Sequence, residues 1–360
     1  MFDFLNPKIH SFGIDLSDPS IKIVNLKKEK VGFSLASFGR QEIKEGLIEE
    51  GEIKKEAELI EVIRKAVRRV KGEPIKTKYC VASLPETESF VSLIKLPLMK
   101  KEEAMEATKW EIEAHIPLPL EEIYYDWQII EPLNKTEKAE NLDVLVGALP
   151  KKTVDPYLSV FKKAGLKPLV FEIESIATAR ALIKDSLSDR PIFILDLGAK
   201  RAGLTIFAGQ AVCFTTSLPS SNDYLVNILS EKLKIGLEKA RQIRFKVGLD
   251  YNRQDGPVYR ALEPLLNEMA EKIKTYMDFY DEHMPSRLIN NEKKEIMICG
   301  GGANMNGLPE FLSNKLKIKV GVGNPWINIF QEQMEKVPAL PFSESLAYTT
   351  ALGLALRTYD

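Results

Sequence analysis

The chain has 360 residues, enough for two or more hydrophobic cores, and its 44% apolar and 28% charged fractions are those of an ordinary globular protein. Fifty basic against 51 acidic side chains leave a formal net charge of −1, so no long-range field recruits a polyanion and nucleic acid is disfavoured as the main partner. No stretch approaches the roughly 18 continuous apolar residues of a bilayer span, and "MFDFLNPKIH" lacks the basic and apolar regions of a secretion signal, so a cytosolic protein is expected.

The opening "MFDFL" has no basic face and reads as a packed or frayed terminus rather than a membrane anchor. Residues 10–45 alternate in hydrophobicity through "SFGIDL", "IKIVNLKKEK" and "VGFSLASFGRQEI", which predicts three antiparallel strands with short turns. The first turn, inside "GIDLSDPSIKIV" at 13–24, sets Asp15 at one strand's rim and Lys22 on the next. Such a loop suits a phosphate, although Ser17 stands where the tightest versions use glycine. "EAELIEVIRKAVRRV" spaces Leu59, Ile60, Ile63, Val67 and Val70 as one helical stripe, and "KYCVASLP" is a strand ended by Pro85.

Residues 86–168 form a block of different character. "FVSLIKLPL" is a strand and "KKEEAMEATKWEIEAHI" a helix stopped by Pro117 and Pro119. "YYDWQII" and "DVLVGALP" are strands, joined by a surface hairpin loop at "EPLNKTEKAENL", and "KKTVDPYLSVFKKAGL" is a helix closed by Gly165. From 192 the opening order begins again with "IFILDLG", "AGLTIFAG", "QAVCFTTSLP" and the helical "DYLVNILSEKL"; "EIMICGGG" supplies a later strand. The repeated order predicts an internal duplication, although the halves share little beyond "IDL" and "LDL". Two helical stretches follow, "SEKLKIGLEKARQIRFKVG" and "YRALEPLLNEMAEKIKTYMDFYDEH". The stripe of the second, from Leu262 to Tyr280, reads as core, and "MPSRLINNEKKE" as an exposed link.

Cys80, Cys213 and Cys299 lie singly in apolar runs, and His10, His115 and His283 are far apart, so neither a disulfide framework, a zinc site nor a histidine-centred triad is indicated. Three stretches remain as candidates: the loop with Asp15 and Lys22, "ILDLGAKRAGLTIF" with Asp196 and Gly198, and "IMICGGGANMNGLPEFL" with Gly300, Gly301 and Gly302. A glycine or aspartate after a strand usually makes a turn or a cap. Three glycines between a strand and a helix leave a surface on which a ring or a phosphate can lie. Two meanders facing each other would oppose Asp15 and Asp196 across a cleft, where paired carboxylates suit a hydrated Mg²⁺ carrying phosphates.

In this order the stretches resemble the actin-like ATPase superfamily, with phosphate loops at 13–22 and 194–207, an adenosine loop at 299–306 and connecting helices at 171–183 and 343–357. The block at 86–168 narrows the resemblance to the FtsA and PilM branches. "LIKLPLMKKEEAMEATKWEIEAHIPLPLEEIYYDWQII", "VLVGALPKKTVDPYLSVFKKAGLKPLVFEIES" and "GNPWINI" before "ALGLALR" are similar to PilM, the actin-like family of type IV pilus assembly. The resemblance implies an α/β, actin-like (ribonuclease H-like) duplicated fold of two lobes, with a small α+β domain inserted in the first. Its implied divisions are 1–85 with 169–190 and 341–360 as the first core, and 86–168 as the insert. The second core would take 191–230 with 295–340, and its helical part 231–294.

The same resemblance implies a cytosolic adaptor that binds ATP or ADP with Mg²⁺. It would hold the cytoplasmic N-terminal tail of a PilN-like inner-membrane protein, link the platform to other pilus or motor proteins, and reach the membrane only through that partner; self-association is a further implied possibility. Nucleotide would be bound by Asp15, Ser17, Ser20, Lys22, Asp196, Gly198, Lys200, Lys239, Gly300, Gly301, Gly302 and Asn304. Asp15 and Asp196 would face Mg²⁺ through water, and Glu174 would position the hydrolytic water. Ser17, Pro19, the Lys200–Arg201–Ala202 run, "PSSND" at 219–223 and Arg241 depart from the pattern and predict binding with little or no turnover. The alternatives are an FtsA-like filament protein, disfavoured because the chain ends at "ALRTYD" without an amphipathic tail, a nucleotide-independent scaffold, and a phosphotransferase, for which no acceptor site is marked.

Overall fold

The computed structural model describes residues 9–130, 141–249, 256–283, 290–330 and 338–357. The "MFDFL" terminus, most of the hairpin loop expected at 131–142 and the first part of the 284–295 link lie outside them. The chain opens with the expected meander, β1 (Phe12–Ser17), β2 (Ser20–Lys28) and β3 (Phe33–Glu42). The small β4 (Ile48–Glu49) and β5 (Glu52–Ile53) hairpin follows, then α1 (Glu56–Arg68), β6 (Lys71–Gly72) and β7 (Tyr79–Leu84). Leu59 and Ile63 carry the buried face of α1; Ile60, Val67 and Val70 pack at its margin.

The block after Pro85 contains β8 (Phe90–Pro97), α2 (Lys101–His115), β9 (Ile123–Ile130), β10 (Asn141–Pro150) and α3 (Lys151–Lys163). The chain returns through β11 (Lys167–Ile173) and α4 (Glu174–Leu182) to a second meander, β12 (Ser188–Leu197), β13 (Ala202–Gly209) and β14 (Ala211–Leu218). Helices α5 (Asn222–Leu233), α6 (Leu237–Lys246) and α7 (Pro257–His283) follow, then β15 (Glu295–Cys299), α8 (Leu308–Leu316) and β16 (Lys319–Val322). The short α9 (Phe342–Ser345) leads into α10 (Thr349–Leu356).

The duplication is explicit in the pairing. In the first sheet β1 runs antiparallel to β2 and parallel to β7, which pairs parallel with β11. In the second, β12 runs antiparallel to β13 and parallel to β15, which pairs parallel with β16. Backbone hydrogen bonding follows pattern rather than identity, so two sequences with different side chains build one topology.

Strand β8 and helix α3 both join the block at 86–168 to the rest. Its strands order as β8–β10–β9, and β8 touches the free edge of β14 at Ser92 and Phe214, making one eight-stranded sheet. Alternation along β10 sends Val144, Val146 and Ala148 toward α2, and Leu145 and Leu149 toward the first core. Helix α3 buries Val154, Tyr157, Val160 and Phe161 in that core, and Tyr157 Oη donates to the Gly51 carbonyl at 2.9 Å.

Helices α4 and α10 cross beneath both meanders at very short range. A Cβ on Gly353 would lie 1.8 Å from the Ala177 carbonyl oxygen, and one on Gly13 2.4 Å from that of Ala351. Gly353→Ala therefore forces the helices apart, and a loss on the order of 3 kcal/mol is expected in urea unfolding.

Candidate functional site

The meanders and the helix pair enclose a cavity of about 500 Å³. Asp15, Ser17, Ser20, Lys22, Glu174, Asp196, Gly198, Lys200 and Gly300 to Gly302 all line it. Lys239 and Asn304 do not: Lys239 is exposed on α6, and Asn304 Nδ2 donates to the Ser343 carbonyl at 2.6 Å. The family resemblance implied both as nucleotide-binding, but the helix rotation about α6 and the turn after Gly302 aim them elsewhere.

In the first turn, Asp15 and Lys22 stand directly opposite in the antiparallel pair, and Lys22 Nζ meets Asp15 Oδ2 at 2.8 Å. Asp15 is 4% exposed, and its other oxygen accepts from Ser83 Oγ at 3.2 Å. Ser83, on the parallel neighbour β7, also accepts from the Leu16 amide at 2.9 Å. The turn is two residues, Asp18 and Pro19. Ser17 Oγ donates to the Ser20 carbonyl at 3.0 Å, and Asp18 Oδ1 accepts from the Gly51 amide at 3.1 Å. Ser17 thus spends its hydroxyl on the turn, while the buried Ser20 hydroxyl has no protein partner.

Asp196 occupies the equivalent place on β12, but Gly203 stands opposite it where Lys22 faces Asp15. Burial pushes its carboxyl up to about 6; Lys22 and Arg201 oppose that shift, and Asp15 and Glu86 add to it. Glu174, at the start of α4, is also raised, first by burial and then by Asp15, Glu86 and Asp196, with Arg201 opposing. Its Oε1 has no protein partner.

The turn after β12 reaches across the cleft. Arg201 Nη1 donates to Thr87 Oγ1, and Lys200 Nζ lies 3.7 Å from Glu45 Oε1. Thr87 in turn donates to the Glu50 carbonyl at 3.0 Å. Beside it, Glu86 accepts from the Ser175 amide at 3.2 Å and the Ser175 hydroxyl at 3.0 Å, and burial raises its carboxyl. One turn at 86–88 therefore touches a cleft loop, a connecting helix and, through Glu88, Lys152 and Thr153 of α3.

The three glycines differ in role. Gly300 has a φ of +82°, and a Cβ there would meet Asp196 Oδ1 at 2.2 Å; one on Gly302 would meet Leu197 Cβ at 2.7 Å. A Cβ on Gly301 meets nothing nearer than Ala347 Cβ at 3.8 Å. The outer two let the loop close on β12, and the middle one leaves bare surface. Nearby, Asn222 Oδ1 is buried without a partner. Arg244 is fully buried beneath the loop, with Nη1 3.4 Å from the Gly302 carbonyl and Nε and Nη2 unpartnered; burial lowers its pKa to about 10.

Ser83, Glu86, Asn222 and Arg244 are the residues that sequence reasoning missed. The polar Ser83 inside the apolar "YCVASL" was a readable signal; Arg244 was not, since a charge on an amphipathic helix normally reads as solvated face.

Two carboxylates on matching strands, a glycine floor and orphaned polar atoms at Ser20, Glu174 and Asn222 fit a phosphorylated ligand with a cation carried on its phosphates. Among the described residues no three His, Cys, Asp or Glu side chains converge to hold a metal ion alone.

A duplicated meander-and-helix core with a carboxylate on each first strand defines the actin-like class. The solved structures agree on the fold. A "PilM-PilN type IV pilus biogenesis complex" chain matches at 23% identity and TM-score 0.79, covering 98% of this chain and all of that one. Ethanolamine utilization protein EutJ from Carboxydothermus hydrogenoformans matches at 16% identity and TM-score 0.55, over 97% and 90%. MreB 5 of Spiroplasma citri bound to AMPPNP matches at 11% and 0.51, over 96% and 95%. The family described as type IV pilus assembly protein PilM matches residues 13–359, and the chain belongs to that family.

Asp196 makes the site sensitive to pH. Its carboxyl rises from an ordinary 3.8 to about 6 on folding, so the folded state holds the extra proton between those values. Stability therefore falls as pH rises through that window, and the penalty is complete above it. Asp196→Asn is expected to raise the stability of the ligand-free protein at neutral pH by on the order of 2 kcal/mol, and to change it little near pH 4, in urea unfolding.

Proposed function

We propose that this chain is a nucleotide-binding adaptor of type IV pilus assembly. It takes ATP or ADP in the cavity and holds the cytoplasmic N-terminal tail of a PilN-like membrane protein in a groove between the first lobe and the inserted block. The observation that carries the nucleotide reading is the bare Gly301 floor beside two opposed carboxylates. The partner reading rests on membership of the family and on the whole-chain likeness to the PilM-PilN structure.

Asp15 and Asp196 would face a Mg²⁺ through its water shell, and Gly198, Lys200 and Gly300 to Gly302 would meet the nucleotide. The cation would supply charge neutralisation at the phosphates. This chain's own residues favour holding over turnover. Lys22 is committed to Asp15, Ser17 to its own turn, and Arg201 to Thr87, so few donors are free to follow charge developing at a terminal phosphate. Glu174, raised by burial, keeps its proton at neutral pH more than an ordinary carboxyl does, so less of the carboxylate that would accept a proton from water is present.

A protein of this kind would sit on the cytoplasmic face of the membrane and join platform to motor through its partner. Among the described residues no helix is long and apolar enough to cross a bilayer, which supports recruitment by the tail.

Two ligands and one variant separate the parts of this reading in a thermal-shift assay. ATP with Mg²⁺ is expected to raise the melting temperature of the wild type, and a synthetic PilN-like tail peptide to raise it independently. Gly301→Leu, whose Cβ has room, is expected to keep the fold and the peptide shift while losing the ATP shift. A peptide shift with no nucleotide shift in the wild type would leave the scaffold reading, and no peptide shift would sink the adaptor.

A further inference from the structure

Helix α2 covers the β8–β10–β9 sheet with Ala104, Thr108 and Ile112, all buried. Trp110 points the opposite way and is 71% exposed, the highest value among the exposed large apolar side chains of the described residues. Tryptophan is well buried on average, so a largely exposed indole on a helix ridge leaves a broad flat surface available to a partner.

Helical spacing shows what surrounds it. Glu103, Glu106 and Glu113 lie three to seven residues from Trp110 on the same outward side, and all are exposed; Ala107 and Ala114 keep the flanks of the indole low. Glu103 Oε2 accepts from the Lys100 amide at 3.1 Å, and Glu106 is held by Lys109 at 2.7 Å, so two of the carboxylates are already oriented. From Trp110 to Glu122 the chain carries four glutamates and no lysine or arginine.

This frame selects its occupant by charge. An anionic lipid surface or an acidic segment is repelled by the glutamates. A purely apolar segment would leave those carboxylates against its surface and gain little beyond the indole. A guanidinium satisfies both features at once, lying flat on the indole and forking to a carboxylate beside it. We propose that the outward ridge of α2, centred on Trp110, docks an arginine-bearing basic segment of a partner protein. The ridge is distinct from the cavity and from the groove expected for a membrane-protein tail, because α2 and α3 cover opposite faces of this sheet.

The test uses the full chain and a fluorescent alanine-based helical peptide with arginines one turn apart, read by anisotropy. Saturable, salt-sensitive binding is expected, weakened about tenfold by Trp110→Ala and by the Glu106→Gln/Glu113→Gln pair, with the lysine version of the peptide weaker than the arginine version. Both variants should melt with the wild type because their side chains are exposed. No binding by the wild type, equal binding by Trp110→Ala, or equal affinity for the lysine peptide would overturn the proposal. So would a self-association in sedimentation equilibrium, or a co-sedimentation with phosphatidylglycerol vesicles, that Trp110→Ala abolishes. The PilN-like tail peptide, assayed on the same variants, should bind unchanged, so failure here is separable from failure of the adaptor reading.

Discussion

The approach of Gly353 to the Ala177 carbonyl, closer than any side chain permits, is the contact on which the cleft rests. It lets α10 lie against α4 while Gly13 admits α10 onto β1, so one small-residue crossing touches both sheets' connections. Thr178 and Thr350 meet across it at 3.0 Å, and both line the cavity floor. Close-packed helices of this kind have few arrangements available, which gives the two meanders a defined separation.

Above that floor the duplication is exact in topology and unequal in charge. Each first strand carries one aspartate at matching register, yet one is neutralised by a lysine opposite and a serine alongside, and the other faces glycine. The paired aspartate is a built part of the fold. The unpaired one stores an electrostatic penalty that a cation or a donor brought by a ligand would relieve.

The inserted block is tied to this core by more than one attachment. Helix α3 belongs to the first sheet's packing, β8 extends the second sheet at its free edge, and the turn at 86–88 bonds to the loop after β12 and to the start of α4. A change in the loop carrying Arg201 therefore reaches the root of the block through Thr87. The outward face of α2 shares none of these ties, which is why it is open to a separate contact.

Much of this was legible in the chain itself. Period-2 and period-3.6 hydrophobicity located both meanders, the α1 stripe and the strands and helices of the inserted block, because backbone pairing and one-sided burial impose those periods on any sequence. The three glycine-rich or acidic turns were legible as a set, and their order carried the resemblance to the actin-like and PilM families. What the sequence could not state was which side chain is satisfied by which. That Lys22 is consumed by Asp15, that Arg201 crosses to Thr87, that Arg244 is buried while Lys239 and Asn304 turn away, and that α3 packs into the first core are outcomes of three-dimensional proximity. Periodicity reports the face on which a residue lies; only the packing of distant segments decides what that face meets.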